Sequence, residues 1–243
     1  MNYYSQLEMA VEGTYIISIA GNEVSQQLTQ QCLESCQKVG QPNVQVFPAF
    51  DATDSKIKVQ QHDLGLPVGE LGTIKVPEFL KGQAFLNFLR LKRSDLLMTH
   101  IACFLSHYSL WCMCLDKDMP IVILEHDAVM VKSYLRHNYL NNIVYLGGCE
   151  QLEGGTLHSN DTIPPHASDH QGLDRFSCRA HAYSIDPLMA KNLVSYAINH
   201  GIITTADAMM RFDMFVIVQD GVYAYDNSHD LSTITLDGRV AQT

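Results

Sequence analysis

Glu125-His126-Asp127 places two carboxylates one residue apart, directly after the apolar run Ile121-Val122-Ile123-Leu124. A chain leaving a buried strand through such a turn can present both carboxylates to one divalent cation. Mg²⁺ and Mn²⁺ take hard oxygen ligands of this kind together with a phosphate. Acids after strands are also common as solvated turns, so the triplet alone leaves both readings open. Upstream, Ser106 and His107 share an apolar stretch with Cys103 and Trp111. A histidine there is either a hydrogen-bonded core residue or a group that, with Ser106, positions the loop bearing Glu125 and Asp127. His166 and His170 have the i, i+4 spacing of zinc ligands on a helix, but Pro164-Pro165 favours a loop over zinc. Lys75, Lys81, Arg90, Lys92 and Arg93 stand against a single acid, Glu78, and form either a solvated helix face or a patch for an anionic ligand.

The elements that must position these groups follow from periodicity. Residues 14–19 are β-branched and aromatic and read as a strand. Gly21 breaks it, and Val24, Leu28, Cys32, Cys36 and Val39 then recur at helical spacing. A second strand at 44–47 runs into the turn-rich Pro48-Ala49-Phe50-Asp51-Ala52. Residues 79–97 read as a basic, apolar helix. Another is expected from Thr99 as N-cap to Asp116-Lys117-Asp118. Residues 121–124 predict a strand buried on both faces of a mainly parallel sheet. A helix at 129–139 and a strand at 143–146 follow, ending in a Gly147-Gly148 turn. Residues 150–177 lack periodicity and read as a mobile lid or acceptor loop. A strand at 180–185 leads to Asp186 as N-cap, Pro187 at the first helical position and Gly201 past the end. Two strands, at 214–218 and 222–225, complete the pattern. Alternating strands and helices predict an α/β fold, a single domain over 1–243 with a mostly parallel central sheet flanked by helices, and ligands at the strand ends.

Composition narrows the function classes. The 243 residues are 47% apolar, enough for a substantial core, and no apolar run reaches the ~20 residues of a membrane span. A formal net charge of −10 disfavours generic binding to nucleic acid or anionic membranes. The first twenty residues lack a basic start and a long apolar stretch, so a cytoplasmic location is expected. The seven cysteines are then reduced, half-buried small hydrophobes rather than a disulfide framework.

The stretch His100-Ile101-Ala102-Cys103-Phe104-Leu105-Ser106-His107-Tyr108-Ser109-Leu110-Trp111, then Cys114-Leu115-Asp116, then Pro120 through Asp127, resembles the core of glycosyltransferase family 25. That family includes lipo-oligosaccharide and collagen galactosyltransferases, and its helix reads roughly Gly-Cys-x-x-Ser-His-x-x-x-Trp before a strand ending Glu-Asp-Asp. Tyr15 to Ile19, Ala49-Phe50-Asp51-Ala52, Ala182-Tyr183-Ser184-Ile185 with Ala190, Asp207 and Ser232-Thr233-Ile234 extend the likeness. Two departures stand out: His126 replaces the middle Asp, and the early turn Gly21-Asn22-Glu23 has no arginine.

The resemblance implies a GT-A-like domain that moves a sugar from a nucleoside diphosphate sugar, UDP-linked in the first instance, to a hydroxyl acceptor with inversion. It implies Mn²⁺ or Mg²⁺ as cofactor, with Asp127, Glu125 and a late histidine, His229, as ligands. Ser18, Ala49, Asp51, Ser106, His107, Glu125 and His126 fall on the donor side, and Asp207 is the candidate base beside the catalytic Asp127 and Glu125. Asp207 reads equally as a helix cap or an acceptor-binding residue. The acceptor is a saccharide, a protein hydroxyl, or a hydroxymethylated base in nucleic acid. The last rests on the Lys75 to Arg93 cluster alone. A rival is a silent nucleotide-sugar-binding protein in which His126 blocks the metal. No stable membrane insertion is expected.

Overall fold

The computed structural model describes residues 9–52, 94–137, 141–148, 180–200, 206–210 and 215–227. After a two-residue strand, β1 (Met9–Ala10), the β-branched run forms β2 (Thr14–Ser18). Helix α1 (Glu23–Val39) opens at Asn22, whose side chain accepts a hydrogen bond from the Ser25 backbone N–H at 2.8 Å, a standard N-cap. Strand β3 (Val44–Pro48), helix α2 (Ser94–Lys117) and strands β4 (Ile121–Glu125), β5 (Ala128–Met130), β6 (Arg136–His137), β7 (Ile143–Gly148) and β8 (Ala182–Ile185) follow. Helix α3 (Pro187–His200), the short α4 (Ala206–Met209) and β9 (Ile217–Asp226) complete the described elements.

Seven strands form one sheet in the order β3-β2-β4-β8-β7-β9-β5. Alternation along each strand sends side chains to two separate cores. Tyr15, Ile17, Ile121, Ile123, Ile143, Tyr145, Tyr183 and Ile185 pack with Phe104, Tyr108 and Trp111 of α2 and Leu193 of α3. Ile16, Val122, Leu124, Val144, Leu146 and Ala182 pack with Cys32 and Cys36 of α1. The sheet therefore lies between two apolar layers, and the four residues Ile121 to Leu124 are buried as expected. The five described cysteines are free: Cys32, Cys36 and Cys114 are buried, and Cys103 and Cys112 half-buried.

Several expectations change. The sheet is mixed: β2–β3, β2–β4 and β7–β9 are parallel, while β4–β8, β7–β8 and β5–β9 are antiparallel. A strand buried on both faces has the same apolar pattern in either direction, so periodicity carries no sense of polarity. The expected helix at 129–139 is absent from the described residues 129–137, which hold β5 and β6 instead. The ladder from Ala128, Val129 and Met130 to Asp226, Tyr225 and Ala224 comes from a distant part of the chain. Thr99 is not a cap, because α2 already begins at Ser94, and no proline or glycine interrupts residues 94–99. Residues 217–226 form one strand rather than parts of two, with an irregularity in its register against Tyr145 and Gly147. The helix after Asp186 stands as expected, with the Met189 N–H donating to Asp186 Oδ1 at 2.8 Å. The 150–177 loop, residues 79–93 and the Lys75 to Arg93 cluster lie outside the described residues.

Gly147 is a strand residue, not a turn, and its lack of a Cβ has a visible cause. A methyl built there would overlap His181 Nε2, with Cε1 2.5 Å and Cδ2 2.8 Å away. Gly147→Ala is therefore expected to lower stability by about 2 kcal/mol through overpacking. Chemical denaturation of the single variant and of Gly147→Ala combined with His181→Ala checks this. The second change should recover most of the loss, and an undiminished single variant would refute the close approach.

Candidate functional site

Strand alternation puts Glu125 on the same face as Ile121 and Ile123, against α2. Its backbone N–H donates to the His181 carbonyl at 2.8 Å, and its Oε1 lies 3.1 Å from His107 Nε2. His107 Nδ1 is 2.8 Å from the Tyr183 hydroxyl, which also accepts from Trp111 Nε1 at 3.0 Å. His107, Trp111 and Tyr183 are all buried. With a neutral imidazole, one proton arrangement uses every group: Trp111 donates to Tyr183, Tyr183 donates to Nδ1, and Nε2–H donates to Glu125. Burial works to raise the Glu125 carboxyl, but the His107 hydrogen bond and the electrostatic influence of the His107, His126 and His181 rings outweigh it and hold the carboxyl below its ordinary range. Glu125 is accordingly a carboxylate at neutral pH.

His126 takes the other direction. Its Nδ1 is 3.3 Å from the Ser25 hydroxyl, which accepts from the Ile19 N–H at 2.9 Å. Burial lowers its basicity, against the Glu125 charge and a hydrogen bond to the Ile17 backbone. Ser106 acts on a third segment. Its hydroxyl donates to the Ala102 carbonyl at 2.9 Å and accepts from the Phe50 N–H at 3.0 Å, so α2 fixes the turn after β3. The Ala49 N–H, donating to the Ser18 carbonyl at 2.8 Å, anchors the same turn to β2.

Between these segments lies a cavity at the C-terminal ends of the parallel strands β2, β3 and β4. Ala49, Asp51, Ser106, His107, Glu125 and His126 line it, six of the residues singled out from sequence. Ser18 does not. Its parity is that of Ile16, and its hydroxyl accepts from Thr29 of α1 at 2.7 Å. Ile17 and Ile19 line the cavity instead. Asp127 and Asp207 are absent from the cavity wall, yet both lie close enough to act on Cys103. Burial pushes the Cys103 thiol up, and the charges of Glu125, Asp207 and Asp127 push it further. The Asp127 carbonyl accepts from the Asn227 N–H at 3.0 Å, which ties the acidic turn to the end of β9. Asp207 sits in the first turn of α4, half-buried. His229 lies outside the described residues.

The comparison with protein families is decisive at this point: the model of glycosyltransferase family 25 (LPS biosynthesis protein) matches residues 12–210. The chain belongs to glycosyltransferase family 25. No curated protein matches it. Membership makes glycosyl transfer the reaction class, with a sugar donor and an acceptor as substrates. The family match takes in β2 to α4, hence Ser106, His107, Glu125, Asp127 and Asp207, and stops short of His229. No helix among the described residues is long and apolar enough to cross a membrane.

Sequence reasoning gave no site role to four residues of this family-25 site. Cys103 lines the cavity one helical turn before His107, a placement its i, i+4 spacing already encoded. Tyr183 and Trp111 orient His107; both fall in the family pattern, and a buried phenol or indole needs a partner, but neither signal names His107 as that partner. Asn22, in the arginine-less turn, caps α1 and lines the cavity.

Proposed function

We propose that this family-25 chain transfers a sugar from a nucleoside diphosphate sugar, UDP-linked in the first instance, to a hydroxyl acceptor with inversion and in a metal-dependent way. The observation that carries the reading is Glu125, a carboxylate held at the cavity wall by His107, with the charges of Asp127 and Asp207 near enough to be felt at Cys103 in the same wall. Three carboxylates acting on one thiol make a concentrated negative field, and this donor set suits a hard divalent cation. Glu125 and Asp127 are the residues that would hold Mn²⁺ or Mg²⁺, with His229 as a further ligand. Such an ion, when bound, supplies positive charge to the departing diphosphate.

The chain's own groups do the rest. Ala49 and Asp51, set by the Ser106 bond to Phe50, form the donor side of the cavity. His107 keeps Glu125 ionised and aimed. The acceptor oxygen attacks the anomeric carbon as the bond from that carbon to the diphosphate oxygen breaks, and Asp207 takes the acceptor proton. A single displacement inverts the anomeric centre. The hydrogen bonds from His126 to Ser25 and the Ile17 backbone favour turnover over the silent-binder alternative, because they engage the ring on the α1 side. A saccharide or protein hydroxyl is the acceptor class. A nucleic-acid acceptor gains no support, since its basic cluster lies outside the described residues.

The test is nucleotide release over a panel of UDP- and GDP-sugars with Mn²⁺ and with EDTA. Release with Mn²⁺ that falls to background in EDTA is expected. Failure to bind or cleave any donor would overturn the reading, and binding without release would leave the silent binder.

A further inference from the structure

We propose that Cys103, His107 and Glu125 form a binding site for a soft divalent cation of the Zn²⁺ type, distinct in chemistry from the hard-cation site of the transfer reaction. One ligand atom from each of the three lies within 4.8 Å of the others. Zinc ligands in a tetrahedral site stand about 3.5 Å apart, given Zn–S near 2.3 Å and Zn–N near 2.0 Å, so closing the set needs side-chain adjustment and no new fold. Three independent features converge on it.

The first is spacing. Cys103 and His107 sit one turn apart on α2, a long helix packed into the core, and the i, i+4 pair presents sulfur and nitrogen on one face. Glu125 reaches them from the end of β4, already 3.1 Å from His107 Nε2. The second is the support behind the histidine. A metal-bound imidazole is oriented by a hydrogen bond from its other nitrogen. His107 Nδ1 already lies 2.8 Å from the Tyr183 hydroxyl, which Trp111 holds in turn. The third is access. All three residues line the cavity, so an ion can enter from it and keep an open position toward it, as three-ligand zinc sites do.

Binding costs one thiol proton, released to solvent. The imidazole stays neutral: Nε2 gives up its proton to face the cation, and Nδ1 gains one to donate to the Tyr183 oxygen. The surrounding carboxylates attract a dication, and metal binding favours the thiolate outright. A thiolate and an imidazole select Zn²⁺ over Mg²⁺, which keeps to oxygen ligands. Occupancy removes Glu125 from the donor side, so Zn²⁺ inhibits Mn²⁺-supported transfer. That consequence, unlike the binding itself, rests on the transferase reading.

The experiment uses Co²⁺ as the spectroscopic stand-in, added to EDTA-stripped, buffer-exchanged full-length protein without any donor. A near-ultraviolet thiolate-to-cobalt charge-transfer band is expected. It should be lost in Cys103→Ser and in His107→Gln, retained in Cys112→Ser, and abolished by one equivalent of Zn²⁺. A second measurement needs no variant. Iodoacetamide labelling of Cys103 in the wild-type chain, read by peptide mass mapping, should slow at least ~10-fold with Zn²⁺ and not with Mg²⁺, as a bound thiolate is withheld from alkylation. No charge-transfer band, a band that survives Cys103→Ser, or labelling indifferent to Zn²⁺ would each overturn the site. Because no sugar nucleotide is present, these results stand or fall separately from nucleotide release.

Discussion

Asp127→Ala is expected to cut metal-dependent nucleotide release at least ~100-fold, since one lost charge at a developing diphosphate is worth about 3 kcal/mol. Glu125→Gln should fall by a similar factor for a related reason. The amide oxygen can still accept from His107 Nε2, now 3.1 Å away, so the cavity wall keeps its shape while losing a charge. Thermal unfolding separates the two effects from misfolding. Glu125→Gln should melt near the wild type, whereas His107→Ala strands the buried Tyr183 hydroxyl and should melt lower. Steady-state kinetics with saturating Mn²⁺ is the measurement. If both acidic variants keep activity within about threefold, the carboxylates do not carry the leaving-group charge, because a factor that small is under 1 kcal/mol.

Asp186→Ala is expected to cost about 3 kcal/mol of folding stability, as it removes a helix cap and a second buried acceptor together. One carboxylate oxygen accepts the Met189 N–H at 2.8 Å and the other the Asn142 N–H at 3.0 Å. His137 Nε2 stands 3.6 Å from the latter oxygen, and both side chains are buried. For a chain of this size the melting temperature should fall by roughly 6–12 °C. The acid limb of stability carries a second signature. Burial acts to raise the Asp186 carboxyl, but His137 and the Met189 and Asn142 N–H groups outweigh it and leave the carboxyl below its ordinary range. A lowered folded value means the charged form stabilises the fold. That contribution is complete above the unfolded aspartate range near ~3.9, and is lost as pH falls below it through the folded value. Asp186→Asn retains a cap acceptor, so it should lose less stability at neutral pH and show a flatter acid limb. Denaturant titrations across the acid range check both, and an unchanged acid limb in Asp186→Asn would remove Asp186 as its source.

Much of the scaffold was legible from local pattern. The run Ile121 to Leu124 announced a strand buried on both sides, and Asp186-Pro187 announced a capped helix. Much of the cavity wall was legible too, since Ala49, Asp51, Ser106, His107, Glu125 and His126 meet in it. Ser18 was misplaced for want of a parity argument: one residue along a strand is the opposite face, and it is Ile17 and Ile19 that line the cavity. Residues 129–137 were misread because a three-residue strand holds too few residues to display its period, and its partner is β9, nearly a hundred positions away.

By itself the sequence determined α1, α3 and the body of α2, the central buried strand, the acidic turn after it and the family to which all of these belong, because each is written in short-range periodicity or a contiguous motif. Only the tertiary structure decided strand direction, which apolar runs do not encode. It alone turned Glu125 to His107 and His126 to Ser25, since adjacent residues leaving a strand diverge to whichever helix covers each face. It alone joined Trp111, Tyr183 and His107 into one hydrogen-bonded line behind Glu125, and brought Glu125 to Cys103. Such contacts link residues far apart in the chain, and packing of the sheet between its two apolar layers is what brings them within bonding distance.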